Sequence, residues 1–121
     1  MAARILIIED DTVLLRLYTQ VLKIQGYEVS GAETNQQARN HLAAASFNLL
    51  LCDVQIGHEK STDLLREMAG VIRESGAVVV LMSADERYCT LGEELGIELF
   101  LTKPVAPTEL VELVEQFLRT A

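Results

Sequence analysis

The chain has 121 residues, half of them apolar and 23% charged, which suits one globular domain with a single good core and excludes a disordered or fibrous chain. Its 18 acidic and 10 basic residues leave a formal net charge of −8, a surface that repels phosphate backbones and anionic lipid, so cations or basic partner surfaces are the electrostatic match. No apolar run approaches the ~18 residues of a membrane span, and the opening MAARILIIEDD, short in apolar residues and ending in acid, is not a signal peptide.

In chain order, the first predicted element is a strand over residues 4–8, RILII, followed without a spacer by Glu9, Asp10 and Asp11. Leu14, Leu17, Tyr18 and Val21 then share one helical stripe. A second strand is expected over 27–31, and an Ala-rich helix over 36–45 follows Thr34, a candidate N-cap. The third strand, 48–52, leads straight to Asp53. Leu64, Leu65, Met68, Val71 and Ile72 mark the next helix. The fourth strand, 77–82, ends at Ser83, and the fifth, 99–101, runs through Thr102 to Lys103. Leu110, Leu113, Val114 and Phe117 mark a last helix with Pro107 in its first turn.

The runs NLLLC and AVVVLM are apolar throughout, the mark of parallel strands covered on both faces. Alternation with helical segments gives an α/β fold, a doubly wound five-stranded parallel sheet in a three-layer sandwich with strand order 2-1-3-4-5. One domain over residues 1–121 is expected. Cys52 and Cys89 are read as reduced thiols in a cytoplasmic protein in preference to a disulfide; they lack the spacing of a zinc site.

In such a sheet the functional crevice lies beyond the carboxyl ends of the strands, at the switch in strand order. The residues due there are Glu9, Asp10 and Asp11 from the first strand, Asp53 from the third, Ser83 from the fourth and Lys103 from the fifth. Crowded carboxylates call for a cation, and oxygen ligands without His or Cys favour Mg²⁺, with Mn²⁺ also admissible. A carboxylate-held metal beside a lysine and a hydroxyl is equipment for handling a phosphoryl group. Asp53, alone on its strand, is the candidate nucleophile; Glu9 and Asp10 look like a metal pair.

ILIIEDD, LLLCDVQ, VVVLMSA and FLTKP, in that order and across essentially the whole chain, resemble the response-regulator receiver domain of two-component signalling, a flavodoxin-like fold. The resemblance implies that Glu9 and Asp10 arrange Mg²⁺, Asp10 directly, and that the backbone carbonyl of Gln55 completes the metal site. It implies that Asp53 accepts phosphate from a histidine kinase or phosphotransfer protein. Ser83 becomes the switch hydroxyl, Phe100 the switch aromatic and Lys103 the phosphate-binding lysine, aimed inward by a cis bond to Pro104. A phosphoryl group on Asp53 would draw Ser83 in, turn Phe100 inward and reshape the face formed by the helix after the fourth strand, the fifth strand and the last helix, which meets a partner or output domain.

Two departures stand out. The loop DVQIGHEKSTDLL carries Gly57 and Ser61 where the family usually has a proline and a glycine, and the segment 83–96 is about a turn shorter than in many relatives. Other residues keep plainer readings beside the functional ones. Asp11 is a helix cap before it is a metal ligand, Phe100 is either core or switch, Cys52 is a small core residue, and His41 and His58 are surface residues. An aspartyl-nucleophile phosphatase is disfavoured because position 55 is Gln and there is no length for a cap. A flavin carrier is disfavoured because EDDTVLLR is the electrostatic opposite of a phosphate cradle. The expected function is a phosphoacceptor switch, not an enzyme, free-standing or part of a larger regulator; the alternative is a degenerate receiver that binds partners without phosphate.

Overall fold

The computed structural model describes residues 2–85, 87–88 and 97–119. Along the chain run β1 (Arg4–Ile8), α1 (Thr12–Ile24), β2 (Glu28–Ala32), α2 (Asn35–Ala44) and β3 (Leu49–Asp53). A two-stranded hairpin, β4 (Gln55–Ile56) and β5 (Glu59–Lys60), precedes α3 (Ser61–Glu67) and α4 (Ala69–Ser75). Then come β6 (Val78–Ser83), β7 (Leu99–Thr102) and α5 (Pro107–Arg119). The main sheet is parallel throughout, in the order β2-β1-β3-β6-β7, which is 2-1-3-4-5 when its own strands are counted.

The apolar runs divide by the two-residue period of a strand into two cores. Leu6, Ile8, Leu50, Cys52, Val79 and Leu81 face one side, with Ala38, Leu42, Leu64, Leu65 and Ile72 from α2, α3 and α4. Ile5, Ile7, Leu49, Leu51, Val80 and Met82 face the other, with Tyr18 and Leu22 of α1 and Leu110 and Val114 of α5. The three central strands contribute no exposed apolar side chain, so each Ile or Leu there gains about 1.5–3 kcal/mol from burial. At Gly31 of β2 an added Cβ would stand 3.0 Å from Leu15, a close approach that seats α1 on the sheet.

Two helical expectations are corrected. Leu17 is 38% exposed and α1 buries Tyr18 and Leu22, with Leu14, Leu15 and Val21 packed beside them. The stripe from Leu64 to Ile72 is not one helix: Met68, at φ −98° and ψ 12°, ends α3 and starts α4, and Val71 turns out to solvent. The predicted caps are where they should be, Thr34 Oγ1 accepting from Gln37 N at 3.1 Å, and Pro107 opens α5. The helix expected after the fourth strand, and Cys89 with it, lie outside the described residues apart from residues 85, 87 and 88, where Tyr88 N donates to Asp85 O.

Candidate functional site

Three of the parallel strands are prolonged by one further backbone bond at their carboxyl ends, where the site lies. Glu9 N donates to Ala32 O at 2.9 Å, Val54 N to Met82 O at 3.1 Å, and Lys103 N to Ser83 O at 2.9 Å. Glu9 and Asp53 therefore leave neighbouring strands at the switch in strand order, and Lys103 reaches back from the sheet edge. The Lys103 ammonium donates to Glu9 Oε1 at 2.8 Å and to Asp53 Oδ2 at 3.0 Å. The peptide bond from Lys103 to Pro104 is cis. Two residues on, Val105 O accepts from the buried Tyr18 hydroxyl at 2.9 Å, which ties this loop to α1.

The electrostatics follow from burial. Glu9 is fully buried, and desolvation, with Asp53 adding to it, pushes its carboxyl up to about 8 against the opposing pull of Lys103. Burial draws the Lys103 ammonium down, but its bonds to Glu9 and Asp53 outweigh this and hold it above its ordinary value. Burial, reinforced by the charge of Asp53, pushes the Cys52 thiol up to about 12, so it is a neutral core group and no metal ligand.

Asp10 and Asp11, next in sequence, have other surroundings. Asp11 Oδ1 accepts from Val13 N at 3.0 Å and Leu14 N at 3.2 Å, capping α1 as its plainer reading required. Asp10 is exposed, and its Oδ2 accepts from Gly57 N at 2.9 Å. Gly57 is the first of the two turn residues of the β4–β5 hairpin, at φ 60°, a position that glycine takes without strain. The departure from the usual loop composition thus has a structure of its own. At its base, Ser61 N donates to Val54 O at 2.9 Å, Ser61 Oγ to Asp53 O at 2.6 Å, and Asn35 Nδ2 to Lys60 O at 3.1 Å.

Sequence reasoning flagged Ser61 only as a departure and did not single out Asn35. A hydroxyl at the start of a helix, eight residues after Asp53, was the available signal for the first.

Glu9, Asp10 and Asp53 each offer one carboxylate oxygen, and these three atoms lie within 4.8 Å of one another. Glu9 Oε2 is buried with no hydrogen-bond partner among the described residues. An all-oxygen donor set with an orphaned buried carboxylate oxygen fits a hard divalent cation. Ser83 is buried at the end of β6 with its Oγ accepting from Asp85 N at 3.0 Å, and Asp85 is held down to about 2 by its hydrogen bonds from Arg87. Phe100 is half-buried against the core on the α2 side of the sheet.

A family model of the response regulator receiver domain matches residues 5–115. The structure superposes on a CheY-like response regulator receiver domain protein from Methanospirillum hungatei with a TM-score of 0.90, at 28% identity, covering 99% of this chain and 96% of that one. The chain is 30% identical to the transcriptional regulatory protein AruR of Pseudomonas aeruginosa, over 98% of this chain and 50% of that protein. It is 31% identical to the transcriptional regulatory protein CpxR of Klebsiella pneumoniae, over 96% and 49%. It spans about half the length of these two relatives. Among the described residues no helix is long and apolar enough to cross a membrane. A doubly wound parallel sheet with an acidic pocket and a lysine at its switch point, matched by the family over nearly all its length, makes this chain a member of the response regulator receiver domain family of two-component signalling.

Proposed function

We propose that Asp53 is a phosphoacceptor and that its modification switches the surface this domain shows to a partner protein or output domain. The observation that carries this reading is the ammonium of Lys103 standing at 3.0 Å from Asp53 and 2.8 Å from Glu9 at the carboxyl end of the sheet. In the step proposed, a carboxylate oxygen of Asp53 attacks the phosphorus of a phosphohistidine on a histidine kinase or phosphotransfer protein. A P–O bond forms, the P–N bond breaks, and the departing imidazole nitrogen takes up a proton.

Lys103 supplies positive charge where the phosphoryl oxygens arrive. Glu9, Asp10, Asp53 and the backbone carbonyl of Gln55 would hold Mg²⁺, or Mn²⁺, which when bound neutralises further phosphoryl charge. Glu9 and Asp10 support its grip, and the buried surroundings of Glu9 exclude water from that side.

Phosphorylation replaces one negative charge by roughly two and adds acceptor oxygens. Ser83, one strand away with its hydroxyl accepting from the Asp85 amide among the described residues, is the group placed to turn toward them. Phe100, half-buried on β7, is the side chain that would follow into the space vacated. The domain is on this reading a cytoplasmic switch and not an enzyme with its own substrate, with no direct contact to nucleic acid or membrane.

The test is the intact mass after incubation with acetyl phosphate, with and without Mg²⁺. The expected result is one metal-dependent phosphoryl adduct, absent in Asp53→Asn. Full labelling of that variant would remove Asp53 from the role, and no adduct under any metal condition would leave a scaffold that binds partners without phosphate.

A further inference from the structure

The hairpin of residues 55–60 is the one part of the pocket that strand geometry does not explain. It is held at its base by Ser61 and Asn35 and across its tip by a single side chain. Gln55 Nε2 donates to Gly57 O at 2.8 Å and to Glu59 O at 3.2 Å, bracing the turn from within. That turn offers one outward group to the pocket, the Gly57 amide, which takes Oδ2 of Asp10 at 2.9 Å. Asp10 is exposed and would otherwise rotate freely. With Oδ2 held at the amide, Oδ1 is the oxygen of Asp10 that no described group engages. Glu9 is placed similarly, since Oε1 receives the Lys103 ammonium and Oε2 has no partner among the described residues.

Single oxygens from these two carboxylates suit one kind of cation. Mg²⁺ requires a near-octahedral set at short distances, keeps several waters and uses few carboxylate oxygens. Ca²⁺ takes six to eight ligands and gains from carboxylates that present both oxygens. We infer that Gln55 is a positioning residue: by bracing the hairpin that holds Asp10 to one free oxygen, its side chain makes the pocket select Mg²⁺ over Ca²⁺. This rests on the reading of the pocket as a cation site and adds the device that sets its selectivity. The contribution lies in the side chain of Gln55 and is separate from its backbone carbonyl.

The experiment is calorimetric titration of the full chain with MgCl₂ and with CaCl₂, for wild type, Gln55→Met, Gln55→Ala and Asp10→Asn. Gln55→Met keeps the length of the side chain and removes its donors, and because Gln55 is exposed both variants at this position should fold. The expected result is a wild-type preference for Mg²⁺ that falls about tenfold in both Gln55 variants, a typical effect for a group that orients a ligand. The Gly57 amide proton resonance should also shift upfield in both, as its bond to Asp10 loosens. An unchanged Mg²⁺/Ca²⁺ ratio in the variants, or a wild type that takes Ca²⁺ as tightly as Mg²⁺, overturns the inference and leaves the cation site standing. Binding of neither ion in the wild type, or binding undiminished in Asp10→Asn, overturns the cation site and the inference together.

Discussion

On one side of the pocket Glu9 is fully buried and meets an ammonium; on the other Asp10, one residue later, is exposed and meets a backbone amide. Asp11, next again, turns away to cap α1. Three consecutive carboxylates therefore answer to three different elements, because a strand sends alternate side chains to opposite faces and the chain then curls into a helix. The difference is one of solvent. A carboxylate removed from water needs an opposite charge, whereas one at the surface keeps most of its hydration and needs only orientation.

The Lys103 side should be the costly one to disturb. Lys103→Met leaves Asp53 without its counter-charge and Glu9 without its donor and should cost about 3 kcal/mol in metal-free buffer, the low end for a broken buried pair because the lysine side chain is 20% exposed. Adding Glu9→Gln should recover part of this. Urea unfolding of the four proteins of that cycle gives the coupling, and strict additivity would mean that the two groups do not sense each other.

Ser61→Ala, at the base of the hairpin, removes the buried hydroxyl that donates to Asp53 O and should cost about 1–2 kcal/mol by the same measurement. An unshifted midpoint would show that the hairpin base is held by its backbone bond and Asn35 without the Ser61 hydroxyl. The smallest loss should come from Asp11→Ala, about 1 kcal/mol for an exposed N-cap, with Asp11→Ser restoring most of it. A loss as large as that for Lys103 would put Asp11 inside the pocket's charge network and not at its edge.

Much of the fold could be read from residue order because its signals are local and repeated. RILII, NLLLC and AVVVLM are apolar without interruption, and a strand buried on both faces is what such runs become. Glu9, Asp53, Ser83 and Lys103 could be placed because each ends or directly follows a strand, and strand ends are fixed once the strands are. What escaped was set by pairing between distant segments. The apolar spacing continues through Val71, and Gly70, a weak helix former two residues on, was the local hint of the break at Met68. The hairpin is six residues long, too short to show alternation, though Gly57 between Ile56 and His58 was a usable turn signal. The bond from Gly57 to Asp10 spans 47 residues and depends on where that hairpin lands.

The bond between Tyr18 and Val105 has a mechanical consequence. From Glu9 the chain passes through Asp10 and Asp11 into α1, crosses by the Tyr18 hydroxyl to Val105, steps back through the cis peptide to Lys103, and closes on Glu9 through the ammonium. The pocket is the interior of a closed linkage, part covalent and part hydrogen-bonded, anchored on two strands. Tyr18→Phe, which cuts one link of this ring, should therefore loosen Lys103 as well as the first helix.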